Sequence, residues 1–360
     1  MAIDVDAVLT LAAREEASDA HFTVGMPPSL RRDGDWVPLK ADALTPDDCQ
    51  AVALHLLGER RFAEFDEAKE FDLSYTISGV ARYRVNAFFQ RGSVGVAARV
   101  LPYAIPRFED LGLPVETMKE LTSAPNGIVL VCGSTGSGKS TTLAAMVSHI
   151  NRNFKKHVVT IEDPVEFVHA HDRSIVDQRE VGVDTTNFAE AMRHVLRQSP
   201  DVVLVGEIRD PETVQTAMMI AETGHLVLST IHSGDVIQGL SRLVDIFPEG
   251  QRSEIRVSLS LVLRGMVVQQ LLPCLETRQR VLAYELMLSN AAIRNLIREG
   301  KFEQVYNQLH TGQGIGMRTM NTSLFDLWRA GKISREIALL RSPAPSELTA
   351  LMERSRSAAI

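Results

Sequence analysis

The sequence predicts an α/β protein whose main sheet is largely parallel, with helices on both faces. Two observations carry this. Four short apolar stretches, 128–132, 157–161, 202–206 and 226–231, alternate with helix-like segments, as β-α repeats do when they build a parallel sheet. The first stretch runs into Gly133-Ser134-Thr135-Gly136-Ser137-Gly138-Lys139-Ser140, and a helix-like segment starts at Thr141. Strand, glycine-rich loop and helix in that order form a phosphate-binding unit.

The chain has 360 residues, enough for two or three domains. Residues 1–101 read as one α/β unit. A helical start (Val5, Val8, Leu9, Ala12) leads to a hairpin over 30–39 with Asp33-Gly34 at its turn. Pro46-Asp47-Asp48 opens a helix reaching about Leu57, and strands follow over 71–77, 81–89 and 95–101. Pro102, Pro106 and Pro114 mark 102–114 as a linker. The nucleotide-binding core spans 115–285, and 286–360 is read as helical, with segments at 290–299, 302–309, 320–330 and 334–341.

Composition narrows the function. A net charge of −7 argues against a broad nucleic-acid-binding surface. No apolar run is long enough to span a bilayer; 257–272 comes nearest and is interrupted by Arg264, Gln269 and Gln270. The first residues, Met1-Ala2-Ile3-Asp4-Val5-Asp6, lack a basic segment followed by an apolar one, so a cytosolic protein is expected. Cys49, Cys132 and Cys274 are far apart, which argues against a disulfide framework and a four-cysteine zinc site.

The loop has the form G-x-x-x-x-G-K-[ST], a Walker A motif. Gly133, Gly136 and Gly138 allow a tight turn whose N–H groups point inward, and residues 133–141 form the expected phosphate cradle. In this motif the lysine, Lys139, reaches the β- and γ-phosphates of ATP, and the hydroxyl of Ser140 suits Mg²⁺.

Three later segments place polar residues at strand ends. Ile161-Glu162-Asp163-Pro164 puts carboxylates at the carboxyl edge of the sheet, where α/β proteins bind ligands; alone it is also compatible with a solvated loop. In Val202-Val203-Leu204-Val205-Gly206-Glu207, a Walker B pattern, glycine stands where many P-loop proteins carry Asp, so Glu207 is the terminal acid. Glu207 and Glu162 are candidates to orient water or hold Mg²⁺. His225 and His232 bracket the last strand, and His232 suits a γ-phosphate sensor, against the commoner structural role of histidine.

Together these boxes resemble the secretion-superfamily ATPases of RecA-like fold, over essentially the whole chain. Ile161–Pro164 is similar to that family's aspartate box, 205–210 to its Walker B box and 224–232 to its histidine box. Within the superfamily the chain looks like a type IV pilus retraction ATPase. The discriminating stretch is Ala292-Ile293-Arg294-Asn295-Leu296-Ile297-Arg298-Glu299, supported by Ala17-Ser18-Asp19 with His21, and by Gly316-Met317 with Thr319-Met320. The resemblance implies a RecA-like core behind a PAS-like N-terminal domain and a helical C-terminal region. It also implies ATP and Mg²⁺ as cofactors, a homohexamer, and a peripheral cytoplasmic motor at the inner membrane. Its partners would be the polytopic pilus platform protein and, through it, pilin. Pilus-assembly and type II secretion ATPases usually carry a longer N-terminal region and a zinc-binding cysteine tetrad, both absent from this sequence. The histidine box departs from the family in ending His232-Ser233 rather than His-Thr.

Arg82 and Arg84 lie two apart on one strand and so share a face. A solvated face is the plain reading. The resemblance offers the other, guanidiniums that act on a nucleotide across a subunit boundary. Ile293, Leu296 and Ile297 form an apolar stripe on the 292–299 helix, either ordinary packing or, by the resemblance, the element that transmits the motor's motion. Rival readings are an accessory retraction ATPase working with a main one, a non-hydrolysing subunit, and a RecA-like nucleic-acid translocase.

Overall fold

The computed structural model describes residues 4–101, 104–277 and 279–357. Met1–Ile3 and Pro102 of the expected linker therefore lie outside the described residues. The chain divides into two units, Met1–Ile105 with Pro164–Val168, and Pro106–Asp163 with His169–Ile360.

The first unit opens with α1 (Val5–Arg14), capped by the Asp4 carboxylate accepting from Ala7 N. Strands β1 (Asp19–Phe22), β2 (Ser29–Arg32) and β3 (Asp35–Pro38) follow. Asp33 and Gly34 both take positive φ between β2 and β3, the geometry expected of an Asp-Gly hairpin turn. Helix α2 (Pro46–Ala68) starts at a reciprocal Thr45–Asp48 capping box. It runs past the expected end near Leu57, because Gly58 only interrupts it with a non-helical φ of 71°. β4 (Glu70–Ile77), β5 (Ala81–Gln90) and β6 (Ser93–Leu101) complete an antiparallel sheet ordered β3-β2-β1-β6-β5-β4. Its buried face packs on α1 and α2, and the Tyr83 hydroxyl, inside that core, donates to Leu9 O at 2.8 Å.

In the second unit, α3 (Val115–Ser123), β7 (Gly127–Cys132), α4 (Lys139–Asn153), β8 (His157–Glu162) and β9 (Ile175–Glu180) come first. Next are α5 (Phe188–Val195), β10 (Val202–Val205), α6 (Pro211–Glu222), β11 (Leu226–Ile231) and α7 (Val236–Asp245). Then follow α8 (Arg252–Val262), β12 (Leu263–Pro273), β13 (Arg280–Leu288) and α9 (Ala291–Glu299). The last four helices are α10 (Val305–Thr311), α11 (Met320–Arg329), α12 (Arg335–Arg341) and α13 (Pro345–Ser357).

The sheet order is β13-β12-β7-β11-β10-β8-β9, parallel except for β13. Along β7, Ile128, Leu130 and Cys132 enter one core while Val129 and Val131 enter the other. Burial on both faces is why the strand reads as an unbroken apolar run. The four expected strands are present. The 257–272 stretch splits into the end of α8 and most of β12, because an apolar run does not by itself distinguish helix from strand. No helix among the described residues is long and apolar enough to cross a membrane.

Candidate nucleotide site

Four strands that are neighbours in the sheet, β7, β11, β10 and β8, are mutually parallel, so their carboxyl ends share one edge. Walker A follows β7, the histidine box ends β11, Walker B follows β10 and the aspartate box ends β8. Segments scattered over a hundred residues of chain thus form one row, at the edge where parallel sheets bind ligands.

The Walker A backbone turns on positive φ at Gly133 (146°), Gly136 (77°) and Gly138 (92°). A Cβ at Gly133 would lie 2.6 Å from Gln269 O, so only glycine fits there. Lys139 Nζ folds back over the loop, donating to Gly133 O (2.9 Å) and Ser134 O (3.0 Å). Ser134, Thr135 and Ser140 are exposed, Ser137 is buried, and Thr141 lies in the first turn of α4, at that helix's positive end. A cavity of about 550 Å³ opens on the loop, lined also by Ser233, Gly234, Gln269, Gln270, Arg280 and Arg341. These last residues are what sequence reasoning missed. The signal for the glutamines was their interruption of an apolar strand. Gln269, almost wholly buried, donates to Thr142 Oγ1 at 2.8 Å and braces the start of α4. Arg280 Nη1 lies 3.4 Å from Gly136 O.

Glu207 is held from the neighbouring strand. Thr230 Oγ1 donates to Gly206 O (2.7 Å) and Ile208 N donates to Thr230 O (3.0 Å), so β11 grips the backbone on both sides of the acid. Its carboxylate pairs with Arg209 Nη2 at 2.6 Å and lies 3.2 Å from His232 Nε2. Burial opposes its ionisation, but the Arg209 hydrogen bond and the charges of His232, Arg209 and Lys139 prevail and hold it below the usual carboxylate range. Glu162 Oε1 accepts from Thr160 Oγ1 (2.7 Å) and Gln178 Nε2 (3.1 Å). Gly206 N bonds Ile161 O, which sets the Glu162 and Glu207 backbones on adjacent strand ends. Asp210, the last acid of the Walker B segment, caps α6 by accepting from Thr213 N.

His225 lies apart from the other candidates. It precedes β11 and so sits at the amino edge, a six-residue strand away from His232, or about 20 Å. Its Nδ1 lies 3.0 Å from Ile220 O and 3.2 Å from Thr223 Oγ1. These contacts set its ring at the end of α6, at the sheet edge opposite the Walker A loop. In the first unit, Arg82 and Arg84 share a face of β5, as alternation requires. Arg82 Nε donates to Val165 O at 3.1 Å and Nη1 to Thr76 Oγ1 at 3.1 Å, whereas Arg84 is exposed and faces Arg99 across the strand pair.

The residues fit a Mg²⁺-nucleotide. A glycine-rich cradle, a lysine over it, an exposed Ser140 hydroxyl at the helix start and two carboxylates stand on one sheet edge. Fold and site together define a P-loop ATPase. The family model "Type II/IV secretion system protein" matches residues 78–323, and the chain belongs to this family, in its branch of pilus retraction ATPases. "Type IV pilus retractation ATPase PilT" of Pseudomonas aeruginosa is 41% identical over 95% of this chain and 99% of its own length. "Type IV pilus ATPase PilU" of the same organism is 36% identical over 98% and 92%. The solved "Crystal Structure of the Pilus Retraction Motor PilT and Bound ADP" superposes with a TM-score of 0.90 and 46% identity, covering 97% of this chain and 99% of that one.

Proposed function

We propose that this ATPase is a homohexameric motor that drives type IV pilus retraction from the cytoplasmic side of the inner membrane. It would act on the pilus platform protein and, through it, on pilin. The observation that carries the hydrolytic reading is the row of four boxes on adjacent strand ends. The pilus reading rests on similarity to retraction ATPases along nearly the whole chain.

Bound ATP and Mg²⁺ supply the scissile phosphoanhydride and the charge that polarises it. The Walker A amides and Lys139 bind the phosphates, and Ser140 holds the metal with Glu207 and Glu162 near it. Glu207, kept ionised, orients the attacking water, and His232 at 3.2 Å relays the state of the γ-phosphate to that carboxylate. Arg84, and Arg82 beside it, serve a neighbouring subunit's nucleotide; Arg84 is the better candidate because its side chain is exposed. Residues 1–101 act as a PAS-like lever, 102–114 as the hinge, 115–285 together with the end of β13 at Leu288 as the engine, and the helices from α9 onward as the output region.

The test combines phosphate release by the purified hexamer with complementation of a deletion strain. Wild type restores twitching, while the Lys139→Ala strain carries pili that extend and are not withdrawn. Normal retraction in the deletion strain would refute a main retraction role, and twitching that also requires a second retraction ATPase would make this the accessory member.

A further inference from the structure

At the amino edge of the seven-stranded sheet, far from the Walker A loop, lies a cavity of about 820 Å³. Arg264 and Arg294 both line it, with Ser289 and Asn290. Arg264 stands where the β7–β12 register slips between Leu263 and Gly265. Such a bulge re-aims a side chain. The guanidinium is then held in place: Nε donates to Asn126 O at 2.8 Å and Nη2 to Asn126 Oδ1. Gly127, at φ +112°, leaves room for it, since a Cβ there would lie 2.7 Å from Arg264 Cγ.

Neither arginine is paired with a carboxylate among the described residues. Glu120 lines the same cavity. The Arg294 Nε and Ser289 Oγ atoms are buried with no hydrogen-bond partner. Burial and the nearby Arg294 charge both push the Arg264 guanidinium below its usual value. Two uncompensated, partly desolvated cations beside unspent donors are costly to hold unless an anion joins them.

We propose that this cavity is a second, non-catalytic anion site that binds the dianionic phosphate group of a small organic phosphoester. The two guanidinium charges match those of a phosphate dianion, where a single carboxylate needs one; Arg264, held through Nε and Nη2 by Asn126, acts chiefly by its charge. The volume lies in the range of small-molecule pockets and far exceeds inorganic phosphate. Leu121, Leu288 and Ile315 offer the apolar lining for the ligand's body. About 20 Å of β7 separates it from the Walker A loop, so the ATP phosphates do not reach it.

The experiment uses the full-length hexamer saturated with Mg²⁺ and a non-hydrolysable ATP analogue, which fills the Walker A site. Inorganic phosphate and phenyl phosphate are titrated calorimetrically, and vesicles containing phosphatidic acid are tested by co-sedimentation. We expect one saturable site per protomer, with phenyl phosphate bound more tightly than phosphate. Arg264→Gln and Arg294→Gln should each weaken binding roughly tenfold or more, and Arg294→Lys should weaken it less. Basal ATPase of these variants should match wild type, which shows that they fold. No saturable binding, binding unmoved by both substitutions, or binding only to the vesicles would overturn the proposal.

Discussion

The two ends of β11 carry one histidine each and use them differently. His232, at the carboxyl end, lies 3.2 Å from the Glu207 carboxylate among the four boxes at that edge. His225, at the amino end, sets its ring against the end of α6, near Ile220 O and Thr223 Oγ1. Residue type and distance from the motif's centre are similar for both. What separates them is the direction of the strand: in a parallel sheet every carboxyl end points to the same edge, so chemistry gathers there while the amino edge is left for packing. In this chain the amino edge also carries Arg264 and Arg294, neither with a carboxylate partner among the described residues.

This contrast is open to measurement, and the largest effect should come from the loop itself. Lys139→Ala is expected to lower kcat/KM for ATP by roughly 10³-fold, as loss of a preorganised charge on the transferring phosphoryl group does; phosphate release at saturating and sub-saturating ATP checks it. Glu207→Gln should reduce kcat by about 10²-fold or more while leaving affinity for a fluorescent nucleotide near wild type. If Glu162→Gln proves the more damaging of the two, the orienting role moves to Glu162.

His232→Ala removes a 3.2 Å electrostatic contact to a charged, partly buried acid, so a loss of about tenfold in turnover is expected. His225→Ala should leave turnover unchanged and cost only about 1 kcal/mol in thermal stability. Equal turnover defects in the two histidine variants would break the comparison.

A smaller effect concerns pH. Glu285, on β13 and almost wholly buried, accepts from Val236 N (2.9 Å) and Met320 N (3.3 Å) at the starts of α7 and α11. Burial pushes its carboxyl up to about 7, against the pull of those two backbone donors, and nearby Asp235 pushes the same way. Because the folded value exceeds the unfolded one, the native state holds the extra proton between them. This group's contribution is therefore complete below about pH 4.5 and is lost as the pH rises through about 7. Melting temperatures of wild type and Glu285→Gln measured from pH 5 to 8 should show a falling slope in wild type that the variant flattens.

Much of the nucleotide-binding sheet was legible because its signals are local. β7, β8, β10 and β11 are apolar runs bounded by glycine or charged residues, and the loop's glycines announce their positive φ. β12 and β13 were not legible. An apolar run that changes from helix to strand at Leu263 has no local marker, and the choice is made by pairing with β7. Helix α2 ran on past Gly58 for a similar reason: Phe65, fully buried in the first unit's core, anchors the second half of the helix there. In the site, Lys139, Ser140 and Glu207 stood in recognisable strings. Gln269 and Arg280 reach the loop from strands more than a hundred residues later, and no spacing rule connects them to it.

By itself the sequence determined the strand–loop–helix unit with its glycine turns and which family of machines the boxes resemble, because turn geometry and strand-end chemistry are written in consecutive residues. Only the tertiary structure decided which polar residues share an edge. Strand order and direction bring Glu162, Glu207 and His232 to one side and leave His225, Arg264 and Arg294 on the other. The physical reason is that proximity across a sheet depends on which strands pair and which way they run, and pairing is settled by burial of both faces rather than by any residue's neighbours in the chain.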